Sequence, residues 1–142
     1  MRALVQRFRE LPGDDLDALV GTHEAAFVGP APLRAVAPRA IALGGMPQWY
    51  GKRFAPGEGV LHGVNLVRGG AEETLPMTAK VDASWLDGRP ALVVSYAADA
   101  PVPWRWVRDE FRVADAGILL GLTFTFSPRL RALAAPFTLE RR

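Results

Sequence analysis

The hydrophobic period of this chain changes near residue 45, and that change limits the folds open to it. Beyond it, seven segments alternate with a period of two: "QWYGKRF", "GVLHGVNLVR", "ETLPMTAKVDASW", "PALVVSYAAD", "PWRWVRDEFRVAD", "GILLGLTFTF" and "APFTLERR". Successive side chains of a strand point to opposite faces, so each segment reads as a strand with one buried side. Asp87-Gly88 and Ala116-Gly117 supply turn chemistry between neighbouring runs. Sequential hairpins make an antiparallel meander, and seven twisted strands curl until their edges meet or are covered. The expected architecture is mainly β: a meander closing into a barrel or half-barrel.

Before residue 45 the period is helical. In "GDDLDALVGTHEAAFVG", Leu16, Leu19, Val20, His23 and Phe27 recur at spacings of three and four, behind Asp14 or Asp15 as an N-cap. This predicts one amphipathic helix ending near Gly29-Pro30. "APLRAVAPRAIALGG" predicts a second, broken or restarted at Pro38 and ended by Gly44-Gly45. With 142 residues and no linker, the expectation is a single domain, residues 1–45 forming a helical segment and 46–142 the barrel.

The strand "PWRWVRDEFRVAD" carries the main anomaly. Val107, Asp109, Phe111 and Val113 share one face, and Trp106, Arg108, Glu110 and Arg112 the other. A carboxylate therefore sits on the face that ought to be buried, where it requires a partner, a hydrogen bond or water. Arg141 follows Phe137 and Leu139 on the apolar face of the last strand and is the expected partner, through bidentate guanidinium–carboxylate geometry. Such a pair is either a structural closure of the barrel or the polar end of a ligand cavity. Tyr96 shares a face with Leu92 and Val94, so its buried hydroxyl needs a partner. Trp49 beside Gly51 and Lys52 is a candidate pocket wall. His62 shares a face with Val64 and Leu66, and Asn65 lies opposite with Leu61 and Val67; periodicity leaves open which side is inward. Ala79, Ala83, Ala98 and Gly121 are the small positions that would leave room for a ligand.

Four ordered segments, "QWYGKRF" (48–54), "VRDEFR" (107–112), "LLGLT" (119–123) and "PFTLER" (136–141), resemble the bacterial GXWXG-type proteins, in which a GXWXG segment precedes a domain of unknown function. The resemblance spans residues 18 to 141. Where the naming motif belongs, this chain reads "GTHEAAFVG", with no Trp between the glycines. The resemblance implies a small lipocalin-like barrel and a small-molecule-binding role, and no established reaction.

Several functions are excluded on composition. The chain has no cysteine and two histidines, both before residue 63, so no disulfide, thiolate nucleophile, metal site or haem is expected, and no cofactor. The net charge is +2 despite a pI of 9.5, and no Lys/Arg run exceeds two residues, which argues against nucleic acid. No apolar run has the length of a membrane span and the N-terminus lacks a signal-peptide core, so a cytoplasmic protein is expected. No nucleophile elbow, phosphate loop, dinucleotide fingerprint or zincin motif is present. The expected function is binding of a small apolar or amphipathic molecule, lipid-like ligands included, inside the barrel, with Asp109, Arg141, Tyr96, Trp49, His62 and Gly121 as candidate ligand-binding residues. Two alternatives stand beside it. One is a cofactor-independent isomerase or hydrolase using Asp109 with Tyr96 or His62 for proton transfer. The other is a protein-interaction module, or a homodimer, docking through an exposed Trp104/Trp106 strip.

Overall fold

A computed structural model describes residues 2–43, 45–125 and 135–142. Eight antiparallel strands close into a barrel in strict sequence order: β1 (Gly21–Phe27), β2 (Gly51–Pro56), β3 (Leu61–Val67), β4 (Glu72–Ala83), β5 (Pro90–Tyr96), β6 (Val107–Asp115), β7 (Ile118–Thr125) and β8 (Ala135–Arg141). The seam is β1 against β8, with Phe27 opposite Phe137 and His23 opposite Arg141. All seven period-two segments are strands. Phe126, which extends the sixth segment, and Gly44 lie outside the described residues.

The first strand corrects the sequence reading. The expected helix of residues 14–29 is a 3-10 turn at Leu16–Leu19 followed by β1, so the barrel begins at residue 21 and not at 46. Gly21, at φ +113°, stops the turn and redirects the chain. From there His23, Ala25 and Phe27 alternate as well as any strand does. The second expected helix is α2 (Ala31–Leu43), which runs unbroken through Pro38. A helix not foreseen, α1 (Arg2–Glu10), precedes both. No helix among the described residues is long and apolar enough to cross a membrane.

There are two apolar cores. The inner one fills the barrel with Phe54, Leu61, Val67, Met77, Ala79, Leu92, Val94, Phe111, Leu119, Phe137 and Leu139, and Leu19 of the 3-10 turn closes one end. The outer one lies on the barrel wall, where Phe8 and Leu11, with Trp85 and Leu86 of the β4–β5 connection, pack with Ala91, Val93, Leu120, Leu122 and Phe124 of β5 and β7. Glu110 and Arg112, on the outward face of β6, are wholly buried in this layer, Glu110 accepting from Ser84 Oγ, from the Trp85 N–H at 2.8 Å and from Arg108 Nε at 2.9 Å. Arg112 uses its full donor set there. It forms a bidentate pair with Asp87 at 2.8 Å and reaches the carbonyls of Phe8, Arg89 and Pro90, while its guanidinium stacks 4.5 Å above the Phe8 ring.

Candidate functional site

Alternation brings Lys52 and Phe54 of β2 to the barrel interior, together with Asn65 of β3, Tyr96 of β5, Asp109 of β6 and Thr123 of β7. Lys52 lies directly opposite Asn65, and Asp109 directly opposite Thr123, so the strand register itself assembles the group. Gly51 permits this beside the β1 backbone: a Cβ there would stand 1.9 Å from the His23 carbonyl oxygen.

The hydrogen bonding of this group is nearly complete. The Lys52 ammonium donates to Asn65 Oδ1 at 2.9 Å and to the Tyr96 hydroxyl at 3.1 Å, and pairs with Asp109 Oδ2 at 3.2 Å. Trp49 Nε1 donates to the same Asn65 Oδ1 at 3.1 Å. Two obligate donors on Oδ1 fix the amide orientation, so Asn65 Nδ2 is the nitrogen that donates to Leu75 O at 3.2 Å and to Tyr96 at 3.1 Å. Thr123 Oγ1 donates to Asp109 Oδ1 at 2.8 Å. The side chains of Lys52 and Asp109 are 1% and 5% exposed, so this is an ion pair in the interior of the barrel.

Protonation states follow from the surroundings. Burial works against the Lys52 ammonium, but the Asp109 carboxylate and the hydrogen bonds to Tyr96 and Asp109 outweigh it and hold its pKa above the ordinary value. Burial raises the Tyr96 pKa as well, against the pull of Lys52, so the phenol stays protonated at neutral pH. The site presents an ammonium and a neutral phenol, not a tyrosinate base.

Beside this cluster lies a cavity of about 70 Å³ at the α2 end of the barrel. Lys52, Tyr96, Asp109 and Thr123 form its polar wall, and Phe27, Ile41, Met46, Trp49, Trp104, Val107 and Phe137 its apolar one. Trp49 packs against Phe27 and Phe137 with ring centroids 5.7 Å away in each case, and Trp104 lies 5.8 Å from the Tyr96 ring.

Of the residues predicted to bind a ligand, Asp109, Tyr96 and Trp49 meet at this cavity, and three do not reach it. Arg141 is not the partner of Asp109; it is at the opposite barrel end, bonding the Asp17 and Ala18 carbonyls. Strand register gives the reason. Asp109 is level with Thr123, which is level with Ala135, and Arg141 stands six residues further along β8, about 20 Å away at the usual rise per residue. His62 is exposed on the outer face, because Leu61, Asn65 and Val67 point inward. Gly121 does face inward, but the Phe111 and Phe137 rings occupy its space: an added Cβ would meet Phe111 Cε1 at 2.6 Å. Ala83 and Ala98 are exposed, and only Ala79 of the small positions suggested is buried with Gly121. The Trp104/Trp106 strip does not exist either. Both residues belong to a 3-10 turn, Trp104–Trp106, which buries Trp104 and leaves Trp106 45% exposed.

Lys52, Asn65 and Thr123 were missed as site residues. Parity could have found Lys52, since it shares a strand face with Phe54 two residues on. Asn65 could have been placed by its parity with Leu61 and Val67. No local signal marks Thr123, whose role depends on register with Asp109.

Among the described residues no group of three or more His, Cys, Asp or Glu is placed to hold a metal ion. No family model and no curated protein matches the chain. Among solved structures, it is similar to a protein from Thermomonospora curvata, with 22% identity and a TM-score of 0.62 over 100% of this chain and 88% of that one, a likeness of fold.

Proposed function

We propose that the barrel binds a small apolar or amphipathic molecule at its α2 end, with the polar group of the ligand against Lys52, Tyr96 and Asp109. The observation that carries this reading is a buried, charged and hydrogen-bonded cluster forming one wall of a cavity whose other wall is aromatic and aliphatic. Ligand sites in barrels have this composition: mostly apolar, with a few convergent polar groups that orient the molecule. The resemblance to GXWXG-type proteins belongs to the same proposal, and its four segments supply Trp49 and Lys52, Val107 and Asp109, Thr123, and Phe137, all cavity-lining residues.

The volume restricts the occupant. At about 30 Å³ per water in the liquid, 70 Å³ takes a group of a few non-hydrogen atoms. A longer ligand must displace Ile41 of α2 and Met46 of the α2–β2 connection, both outside the strands. Ligand-observed NMR over a series of small ketones, alcohols and branched hydrocarbons, with Val107→Phe as the filled-cavity variant, tests the reading. Binding of one molecule per chain that disappears in folded Val107→Phe is the expected result. Binding that persists in that variant, or no binding across the series, overturns it.

A further inference from the structure

A count of protons and lone pairs in the cluster leaves one donor over. The Tyr96 oxygen accepts from Lys52 Nζ and from Asn65 Nδ2, and neither an ammonium nor an amide NH₂ group has a lone pair to offer in return. The proton of the Tyr96 hydroxyl therefore has no acceptor among the described residues, although the residue is 8% exposed and lines the cavity. Every other donor of the cluster is matched. The three ammonium protons face Asn65 Oδ1, Tyr96 and Asp109 Oδ2, both Asn65 amide protons have acceptors, and Trp49 Nε1–H and Thr123 O–H have theirs.

From this accounting, and resting on the ligand-binding reading above, we infer that the site selects an uncharged ligand bearing an acceptor oxygen, a carbonyl or hydroxyl, which takes the Tyr96 O–H proton. A hydrocarbon entering the cavity leaves that proton stranded, and a buried unmatched donor is expensive. Water can serve the hydroxyl in the free barrel, and a ligand that displaces it without replacing its hydrogen bond loses affinity. A carboxylate fares worse than a neutral oxygen for a different reason. The Lys52 ammonium has no proton left for it, and Asp109 already supplies one negative charge to the same wall. Two donors bonded to the Tyr96 oxygen, one of them cationic, polarise the phenol and strengthen the bond it donates. The raised pKa of Tyr96 keeps that proton in place at neutral pH.

Acetone, acetate and 2-methylpropene test the inference, because each has four non-hydrogen atoms in a planar branched array and they differ in charge and acceptor oxygen. Free-ligand hydration differs among them, so the informative quantity is the ratio of acetone to 2-methylpropene association constants in the wild type against Tyr96→Phe. That ratio should fall about tenfold or more in the variant, the fold-change expected for losing a bond to a buried donor. Acetate should bind more weakly than acetone to the wild type. A measurement that needs no variant accompanies these: with only two tyrosines in the chain, the ¹³Cζ resonance of Tyr96 can be followed directly, and it should move with acetone and stay nearly fixed with 2-methylpropene. An unchanged ratio in folded Tyr96→Phe, acetate binding tighter than acetone, or a Tyr96 resonance indifferent to acetone overturns the inference while the ligand site stands. Failure of both acetone and 2-methylpropene to bind overturns the site and the inference with it.

Discussion

Lys52→Met removes the ammonium of the interior ion pair and keeps most of the apolar stem. Asp109 is then left in the barrel with the Thr123 hydroxyl as its remaining partner, and Tyr96 and Asn65 each lose a donor. Breaking one side of a buried pair costs about 3–5 kcal/mol, because the surviving charge is neither hydrated nor compensated. Asp109→Val should lose a comparable amount by stranding the cation. The double variant removes both charges and inserts a β-branched residue suited to a strand, so it should lie within about 2 kcal/mol of the wild type. The coupling from the cycle should therefore be at least about 4 kcal/mol. An external standard is the Arg53–Glu73 pair on the outer wall, whose side chains are 44% and 55% exposed and whose coupling should stay below about 1 kcal/mol. Urea unfolding followed by tryptophan fluorescence reads the cycle, and each single variant should melt roughly 6–20 °C below the wild type for a domain of this size. Additive losses at Lys52 and Asp109, or a coupling no larger than that of Arg53–Glu73, would refute the reasoning that this ion pair is a desolvated unit.

Two further outcomes concern the barrel's exterior and its plugged end. Arg112→Lys keeps the charge but cannot supply five N–H donors to Asp87 and the carbonyls of Phe8, Arg89 and Pro90, so it should cost about 2 kcal/mol or more and speed amide exchange in α1, measured by mass spectrometry. His23 is fully buried, and its Nε2 donates to the Leu19 carbonyl at 2.7 Å while Nδ1 has no partner among the described residues. Burial lowers its pKa below the usual 6.5, helped by Arg141 and opposed by the Leu19 bond. The unfolded chain then binds the proton first as pH falls, so the stability this group contributes is complete above about pH 6.5 and is lost progressively below it. Thermal unfolding from pH 7 to 5 should show a steeper decline for the wild type than for His23→Gln, and parallel curves would exclude His23 as the source.

The barrel was legible because seven of its strands have one face that must be apolar, and alternation records that directly. β1 was not, because residues 16–27 satisfy a spacing of three and four as well as a spacing of two, and Gly21 alone separates the turn from the strand. Asp109 was correctly placed indoors by its neighbours Val107 and Phe111. Its partner is not legible in the same way, because parity gives the face of a residue and not its height, and Arg141 has the right face at the wrong end. Outward-facing Glu110 and Arg112 would be solvated in an isolated barrel. Arg112 is buried against Phe8 of α1 and Asp87, and Glu110 against Ser84 and Trp85 of the β4–β5 connection, and no spacing within β6 reports such contacts.

That external layer divides the barrel into two mechanical halves. β5, β6 and β7 are packed on both sides, whereas β2, β3 and β4 expose Arg53, Ala55, His62, Thr78 and Lys80 to solvent on theirs. Local opening is easiest where few apolar contacts hold the backbone, so the two halves differ in compliance. The candidate site straddles the boundary: Tyr96, Asp109 and Thr123 stand on the braced wall, and Lys52 and Asn65 on the single-layered one. An arriving molecule would therefore meet one fixed jaw and one yielding jaw, with the Lys52–Asp109 pair acting as the latch across them.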